Sequence, residues 1–454
     1  MSSTEPNPPA EHLVYSYLEF KEQLEYYDEL NRYSYLPGRP SPAIDVVVDS
    51  ALTDVLKKLT SIPWTESFKL DWPDLVDCKI SVSDEEAGTI GKPNVDVIMA
   101  KSKPSSFGKG DQTVFDPSYR HGLEIAASDL KLSNESSIIK ALKPEVMNTF
   151  YPFEQRTRES TIELYKLAVY EKGGHFDWHK DSTHGNDHHA TLLIAMNTEW
   201  KGGQLKLRHN GVENTPDMHP TSEGAVSVVA FYTDVEHMVE PVEEGVRLVL
   251  QFDIRFQKQS DEAQTSEESS EPEGGFGGTH DGKVIAELMT EELQTFPYGP
   301  IISFSGNQVQ LEKMVEVIKT YHETEFYEVG FPLHHLYRQA SIQPKYLKGI
   351  DSLLYETLKD KFDVSLHPII LCHSQLYEDT YADFVFKFED YSYGEAPPSK
   401  KKKLKKVFHL AIPTGPLKEI SSKEYIEYVG NEAQPGETKY FAGGMFVRPK
   451  DKSK

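Results

Sequence analysis

A strand that carries a histidine and an aspartate two positions apart can offer both side chains to one metal ion. Within the stretch YEKGGHFDWHKD, residues 170–181, His179 and Asp181 have this spacing, and side chains two apart on a strand share a face. A third ligand must then come from a distant strand. Residues 225–231 have the pattern of a buried strand, and His237 follows just past its end. Two imidazoles and one carboxylate can hold a divalent metal and leave its other positions open.

An arginine stands ten residues beyond His237, where it opens the run RLVLQFDIRF. Strand alternation places Arg247 and Arg255 on one face of this run, together with Val249, Gln251 and Asp253. An arginine at the mouth of an otherwise packed strand suggests a bidentate partner for a carboxylate. Arg247 is therefore a candidate for binding an anionic group, and Arg255 is the next candidate. A structural ion pair would explain either residue as well.

The sequence contains two HxD triplets, His175 with Asp177 and His179 with Asp181. All four side chains would face the same way on a regular strand, so alternation cannot choose between the triplets. Position favours the second triplet, because His175 falls next to the turn expected at Gly173 and its neighbouring glycine. A backbone that reverses there is a poor place from which to aim an imidazole at a metal.

Seven residues carry a resemblance to a known family. Their order resembles that of the prolyl 4-hydroxylase type of iron(II)- and 2-oxoglutarate-dependent oxygenase: Tyr170, Gly173, Phe176, His179, Asp181, His237 and Arg247. The stretches ATLLIAMNTEWKGGQLKLRHNG, VVAFYTDVEHMVEPVEEGVRLVLQFDI and YVGNEAQPGETKY are similar to a mainly fungal set of such proteins. The resemblance covers most of residues 45–447. It is specific for cofactor chemistry and says little about substrate.

The resemblance implies a set of roles for these residues. His179, Asp181 and His237 would bind iron(II), and Arg247 would pair with the far carboxylate of 2-oxoglutarate. Tyr170 either donates its hydroxyl to that carboxylate or only packs. Ala195 stands in a region where some relatives place a tyrosine that touches the co-substrate, which makes Thr191 a candidate for the missing hydrogen bond. Oxygen is the second co-substrate, and L-ascorbate is a candidate reductant.

The implied activity is hydroxylation of a substrate, with release of succinate and carbon dioxide. A protein prolyl residue is the substrate that the resemblance suggests, and a small molecule stays open. The alternative is a catalytically silent barrel that acts as a metal or 2-oxoglutarate sensor or as a scaffold. A zinc hydrolase on a similar barrel would need a general base near the metal, and the sequence offers no separate candidate.

Composition and charge narrow the possible substrates and the expected cellular compartment. The formal net charge of −24 over 454 residues disfavours a nucleic-acid substrate. Cys78 and Cys372 are the only cysteines in the sequence, which suits reduced thiols in an intracellular compartment. The N-terminus lacks the pattern of a signal peptide, and no apolar run approaches the length of a membrane span. We therefore expect a cytoplasmic or nuclear protein without membrane contact, and the basic run at residues 400–406 is a candidate nuclear-localisation signal.

Hydrophobic periodicity divides the chain into four parts. Residues 1–42 are expected to form a loosely ordered arm, and residues 257–282 an acidic disordered linker. Residues 43–256 would form the oxygenase domain, with flanking helices around a barrel core at about 160–256. Its successive strand-like runs predict a double-stranded β-helix, or jelly roll: ELYKLAVY, HFDWHKD, ATLLIAMN, GQLKLRH, AVSVVAF and RLVLQFDIRF. Residues 283–449 predict a second, α+β unit. The expected class is thus α+β and mainly β.

Overall fold

The structure is a computed structural model that describes most of the chain between residues 39 and 450. The described ranges are 39–40, 44–47, 50–59, 64–70, 72–109, 112–151, 158–209, 211–219, 226–258, 304–324, 326–377, 380–389, 405–409, 418–420 and 437–450. The expected linker therefore lies outside the described residues, apart from its first two positions. The same is true of almost all of the N-terminal arm and of most of the basic run.

Strands predominate among the described residues, as the mainly β prediction requires. Up to residue 151 the elements are β1 (Arg39–Pro40), β2 (Ile44–Val47), α1 (Ser50–Leu59), β3 (Thr65–Leu70), α2 (Pro73–Val76), β4 (Lys79–Val82), β5 (Glu85–Thr89), α3 (Val95–Lys101), β6 (Lys103–Pro104), β7 (Phe107–Lys109), β8 (Gln112–Val114), β9 (Arg120–His121), β10 (Leu123–Ala126), β11 (Leu130–Leu132) and α4 (Glu135–Phe150).

The central part of the chain is formed almost entirely of strands. These are β12 (Arg158–Tyr170), β13 (His175–His179), β14 (His188–Ala195), β15 (Trp200–Gly202), β16 (Leu205–His209), β17 (Val212–Asn214), β18 (Val226–Tyr232), β19 (Glu236–Val239), β20 (Val242–Gly245) and β21 (Arg247–Lys258). The remaining elements are α5 (Phe304–Thr324), β22 (Phe326–Pro332), α6 (Gly349–Lys359), β23 (Phe362–Tyr377), β24 (Thr380–Glu389), β25 (Lys405–His409), β26 (Lys418–Ile420) and β27 (Glu437–Pro449). None of the helices described is both long enough and apolar enough to cross a membrane.

Residues 64–258, which we call the first unit, contain two main antiparallel sheets that share one hydrophobic core, and three small sheets of two or three strands. The larger sheet has the strand order β3-β18-β14-β21-β12-β10-β6, and the smaller has the order β17-β16-β19-β13-β9. Strands β14 and β18 are buried at every position, because one face meets the smaller sheet and the other is covered. Phe150 at the end of α4 covers part of the outer face, with its ring 4.6 Å from that of Tyr232. Burial on both faces explains why these strands read as continuous apolar runs.

Residues 39–59 and 304–450 form what we call the second unit. Its strand order is β1-β24-β2-β25-β22-β27-β23, and β26 also pairs with β27. Because β24 pairs with β23 as well as with β2, six of these strands close into a ring. Ile44, Leu371 and Phe408 belong to one apolar cluster of this unit. Helices α1, α5 and α6 contribute to a second cluster.

The segment that contains β2 and α1 does not pack where we expected. The sequence-based boundary assigned it to the oxygenase domain, but β2 pairs with β24 and β25, and Leu52 and Val55 of α1 pack in one cluster with Met314 of α5. Periodicity identifies the apolar face of a helix without identifying the surface that covers it. The boundaries of the expected domains otherwise stay predictions.

Three buried histidines meet where the two units join. His209 of the first unit lies 5.4 Å from His335 and 5.6 Å from His334 of the second, measured between ring centroids. Burial lowers the pKa of each of the three to about 4. The unfolded chain binds these protons below about pH 6.5, whereas the folded protein excludes them until the pH approaches 4.

We therefore predict that the free energy of unfolding falls as the pH is lowered from 7.5 to 5.5. Each of these histidines contributes about 1 kcal/mol to that loss, since the unfolded state binds more protons than the folded state over this window. Urea unfolding at several pH values measures it. His209→Gln should reduce the slope and His121→Gln, at an exposed site, should not. Equal slopes for the wild type and His209→Gln would contradict the assignment.

Candidate metal centre

A β-bulge in β13 decides which side chains of this strand point into the core of the first unit. Phe176 pairs with Val239 of β19 and His179 pairs with His237, so three steps along β13 match two steps along β19. The extra residue places Phe176 and His179 on the same side. Their rings stack with centroids 3.4 Å apart.

The bulge also separates the two HxD triplets, which a regular strand would have kept on one face. Asp177 is exposed, and its carboxylate accepts from the backbone N–H of Trp178. The two ring nitrogens of His175 lie against the carbonyl oxygens of Gly173 and Ser118. Only the second triplet therefore reaches the interior, because β13 is not a regular strand through both triplets and ends at His179.

His179, Asp181 and His237 meet between the two sheets. Their candidate ligand atoms all lie within 4.8 Å of one another. Nε2 of His237 is 3.6 Å from Oδ1 of Asp181, and the two imidazole centroids are 4.0 Å apart. Strands β13 and β19 are neighbours in the smaller sheet, which explains how residues far apart in sequence converge.

Hydrogen bonds fix the orientation of all three side chains. Nδ1 of His179 lies 2.7 Å from the carbonyl oxygen of Asp177, and Nδ1 of His237 lies 3.1 Å from that of Val235. A carbonyl only accepts, so each Nδ1 carries the proton and each Nε2 keeps its lone pair for a metal. The Thr191 hydroxyl donates to Oδ2 of Asp181 at 2.5 Å, which leaves Oδ1 to face His237.

The protonation states also suit a cation. Burial, together with the neighbouring His237, holds the pKa of His179 well below its ordinary value. Burial alone would raise the pKa of Asp181, but His237, His179 and the hydrogen bond from Thr191 together hold it below its ordinary value. A neutral imidazole and an ionised carboxylate are the forms that bind divalent metals.

Two other clusters of histidine and aspartate occur among the described residues, and each has a cationic side chain within 4 Å of its carboxylate. In the first, Nδ1 of His184 lies 2.6 Å from Asp253, which is also 3.5 Å from Nε2 of His188. In the second, which contains His209 and His335, the ammonium of Lys348 lies 2.9 Å from Asp234. Arg255 lies 3.8 Å from Asp253 and Lys348 pairs with Asp234, so neither cluster matches that of His179, Asp181 and His237 as a metal site.

Arg247 lies in the core of the same unit without an anionic partner. It is 1% exposed, at the start of β21 and directly opposite Tyr170 of β12. Its Nη2 approaches Sδ of Met218 at 3.3 Å, and its Nε has no hydrogen-bond partner. Among the described residues, none forms an ion pair with it. Burial lowers its pKa to about 10, so the group is still a cation at neutral pH.

A buried cation without a partner costs several kcal/mol, so this guanidinium is suited to an anionic ligand. Arg255, the other candidate on the strand, instead pairs with Glu163 and Asp187, at 3.0 Å each. Tyr170 is buried, with its ring centroid 5.6 Å from the guanidinium carbon of Arg247. The hydroxyl of Thr191 serves Asp181 here, so contact of Tyr170 or Thr191 with a co-substrate stays a prediction.

Sequence reasoning missed two features that shape the site. One is Arg120, whose guanidinium lies 4.6 Å from the ring centroid of Phe176 and pairs with Glu124 at 3.0 Å. It lies in the two-residue strand β9, which is too short to show a periodic pattern in the sequence. The other is the carbonyl of Val235, which orients His237. A backbone atom leaves no signal in the sequence.

One family model matches the part of the chain that carries this site. Residues 165–255 match the family model described as the 2OG-Fe(II) oxygenase superfamily. The range spans β12 to β21 and includes all six predicted site residues. The resemblance inferred from the sequence is thus confirmed for this part of the chain. The search of curated proteins found no match.

Solved structures similar to this chain include several prolyl hydroxylases. A prolyl-4-hydroxylase of Pseudomonas putida is 17% identical, with a TM-score of 0.28, and the match covers 46% of this chain and 100% of that one. A prolyl hydroxylase of Trichoplax adhaerens, in complex with a peptide fragment of the oxygen degradation domain of hypoxia inducible factor, is 16% identical, with a TM-score of 0.25 and coverage of 56% and 96%. A viral collagen prolyl hydroxylase of Paramecium bursaria Chlorella virus-1 is 13% identical, with a TM-score of 0.24 and coverage of 42% and 96%. Similarities this low support no conclusion about what this chain acts on.

The geometry predicts opposite results for the two triplets. His179→Ala and Asp181→Ala should abolish binding of one divalent metal ion, because each removes an inward-facing ligand. His175→Ala and Asp177→Ala should leave the metal bound, because both side chains point away from the core. Calorimetric titration with Co²⁺ checks this, with circular dichroism confirming the fold of each variant. The reverse pattern would move the site to the first triplet.

Proposed function

We propose that the first unit is an iron(II)- and 2-oxoglutarate-dependent oxygenase that hydroxylates its substrate. The observation that carries the proposal is the presence, within one core, of two different binding features. Two histidines whose Nδ1 atoms are held by backbone carbonyls, and an ionised aspartate, offer ligands to a metal. A buried arginine without an anionic partner offers a fork to a carboxylate. A co-substrate that chelates iron at one end and ends in a carboxylate at the other satisfies both.

We further propose that the two sheets of this unit form the double-stranded β-helix of the family, with the site between them. The donor set of two nitrogens and one carboxylate oxygen fits iron(II) with open positions. Bound iron and 2-oxoglutarate would supply the oxidation, in which oxygen is consumed, succinate and carbon dioxide are released, and one oxygen atom enters a C–H bond of the substrate.

The protein's part in this reaction is to bind and to orient. His179 and His237 would present Nε2 to the metal, since their Nδ1 protons are held by backbone carbonyls. Thr191 would keep one oxygen of Asp181 out of the coordination sphere. Arg247 would pair with the far carboxylate of 2-oxoglutarate, and Tyr170 would pack beside that ion pair. Exclusion of water by the surrounding core strengthens such a pair.

A protein prolyl residue is our proposed substrate, on the sequence resemblance alone. We also propose L-ascorbate as reductant, an intracellular location and a nuclear-localisation role for residues 400–406. Most of that basic run lies outside the described residues.

The direct test of the proposed function is spectroscopic and anaerobic. Iron(II) and 2-oxoglutarate together should give a weak visible charge-transfer band that neither gives alone. Admission of oxygen should then yield succinate. His179→Ala should show neither signal. If the wild type shows the band but forms no succinate, a sensor or scaffold role would replace the oxygenase.

The anion role of Arg247 has its own test. Arg247→Met should weaken 2-oxoglutarate binding by about 2–4 kcal/mol, since it removes a buried charge-assisted contact. Metal binding should be retained. The melting temperature without ligands should stay the same or rise, because an unpartnered buried charge is lost.

The matched control for that test is Arg255→Met on the same strand face. Its guanidinium already pairs with Glu163 and Asp187, so 2-oxoglutarate affinity should be unchanged. Calorimetric titration of the metal-loaded protein measures both variants. Unchanged affinity in Arg247→Met would refute the assignment.

A further inference from the structure

The turn that leads into the strand of His237 is held by the second unit. Asp234 lies in this turn, between β18 and β19, and its side chain is 2% exposed. All of its hydrogen bonds to described residues come from the second unit. Nζ of Lys348 donates at 2.9 Å, Nδ1 of His335 at 3.1 Å and the backbone N–H of Leu336 at 3.1 Å.

The donors that reach Asp234 are themselves fixed. The ammonium of Lys348 also donates to Oγ1 of Thr233 at 3.1 Å and to the carbonyl of Leu336 at 3.2 Å, so all three of its protons are used. The carboxylate of Asp351 accepts from the backbone N–H of His335 at 2.9 Å and from the hydroxyl of Tyr337 at 2.9 Å. That hydroxyl accepts in turn from the backbone N–H of Lys348 at 2.7 Å. The second unit thus presents a rigid set of donors to the turn.

Close contact between the units depends on one glycine. Gly349 follows Lys348 and has a φ of +36°. A Cβ at this position would lie 2.7 Å from the hydroxyl of Tyr232, the last residue of β18. Any larger residue would push the segment that carries Lys348 away from the turn.

The turn sets the orientation of a proposed metal ligand. Residue Val235 follows Asp234 directly, and its carbonyl oxygen lies 3.1 Å from Nδ1 of His237. This contact fixes both the tautomer and the ring plane of the imidazole, which aims Nε2 at Asp181. The carbonyl of Val235 belongs to the peptide that joins it to Glu236, and a rotation of that peptide would remove the acceptor.

We infer that Lys348 and His335 are positioning residues for the metal centre, acting through Asp234 on the Val235 carbonyl that orients His237. The second unit therefore completes a site to which it contributes no ligand. The inference rests on the proposed metal site and does not depend on the oxygenase reaction.

The experiment measures metal affinity in the full chain, with Co²⁺ as the probe. Lys348→Met removes the ammonium and keeps most of the buried volume, and it should weaken Co²⁺ binding about tenfold or more. The visible d–d bands of bound Co²⁺ should shift, because the geometry at His237 changes. Hydrogen exchange of the amides at 233–237 should accelerate in the metal-free protein. Lys348→Arg should restore part of the affinity.

The matched control breaks another buried contact between the units that does not involve the turn. Arg158 donates to Oγ of Ser352 at 3.1 Å and to the carbonyl of Lys345 at 3.3 Å. Arg158→Met should reduce stability while leaving the Co²⁺ affinity and spectrum unchanged. Equal affinity losses in Arg158→Met and Lys348→Met would reduce Lys348 to a structural role and overturn the inference.

His335→Gln provides a second variant if Lys348→Met does not fold, because it keeps the ion pair between Lys348 and Asp234. It should weaken Co²⁺ binding several-fold and shift the same bands. Wild-type affinity and spectrum in a folded Lys348→Met or His335→Gln would overturn the inference and leave the proposed function intact. Failure of the wild type to bind Co²⁺ would overturn both.

Discussion

The register between β13 and β19 determines which chemistry the first unit can carry. One extra residue in β13 turns Phe176 and His179 to the same side, and the core then receives one imidazole from each of the two paired strands. Without this bulge, the exposed Asp177 would point inward and the stacking of Phe176 on His179 would be lost. Thr191 and the Val235 carbonyl orient Asp181 and His237, and this orientation forms a site only if the register also brings His179 to the same place. Bulges recur beside active sites because they redirect a side chain without interrupting the sheet.

Charge within the first and second units is arranged so that most buried ions have a partner. Lys348 pairs with Asp234, and Lys387 pairs with Glu328 at 3.0 Å in the second unit. Arg247 contrasts with these pairs, because no described residue forms an ion pair with it. A buried cation without a partner costs several kcal/mol, which is the physical ground for proposing that Arg247 binds an anion.

The sequence was sufficient for the parts of the molecule in which local pattern and packing agree. The runs in the centre of the chain appear as β12, β13, β14, β16, β18 and β21, and their alternation correctly placed Arg247 and Arg255 on one face. Spacing brought His179, Asp181 and His237 into consideration before any coordinates. What could not be foreseen depends on contacts between distant segments. No local sequence pattern indicates the bulge, the hydrogen bond from Thr191 to Asp181, or the pairing of Lys348 with Asp234. The sequence of α1 shows its apolar face but does not show which surface packs against it.

The position of β2 has a consequence for how the chain is made. This strand, near the start of the sequence, pairs with β24 and β25, which lie far towards the other end. A ribosome that adds about 5–20 residues each second needs roughly tens of seconds to deliver those partners. All strands of the first unit emerge in the interval, so its two sheets can assemble while β2 and α1 wait with their apolar side chains uncovered. Nascent chains of this protein therefore pass through a period of that length in which β2 and α1 have no sheet of their own to pack against.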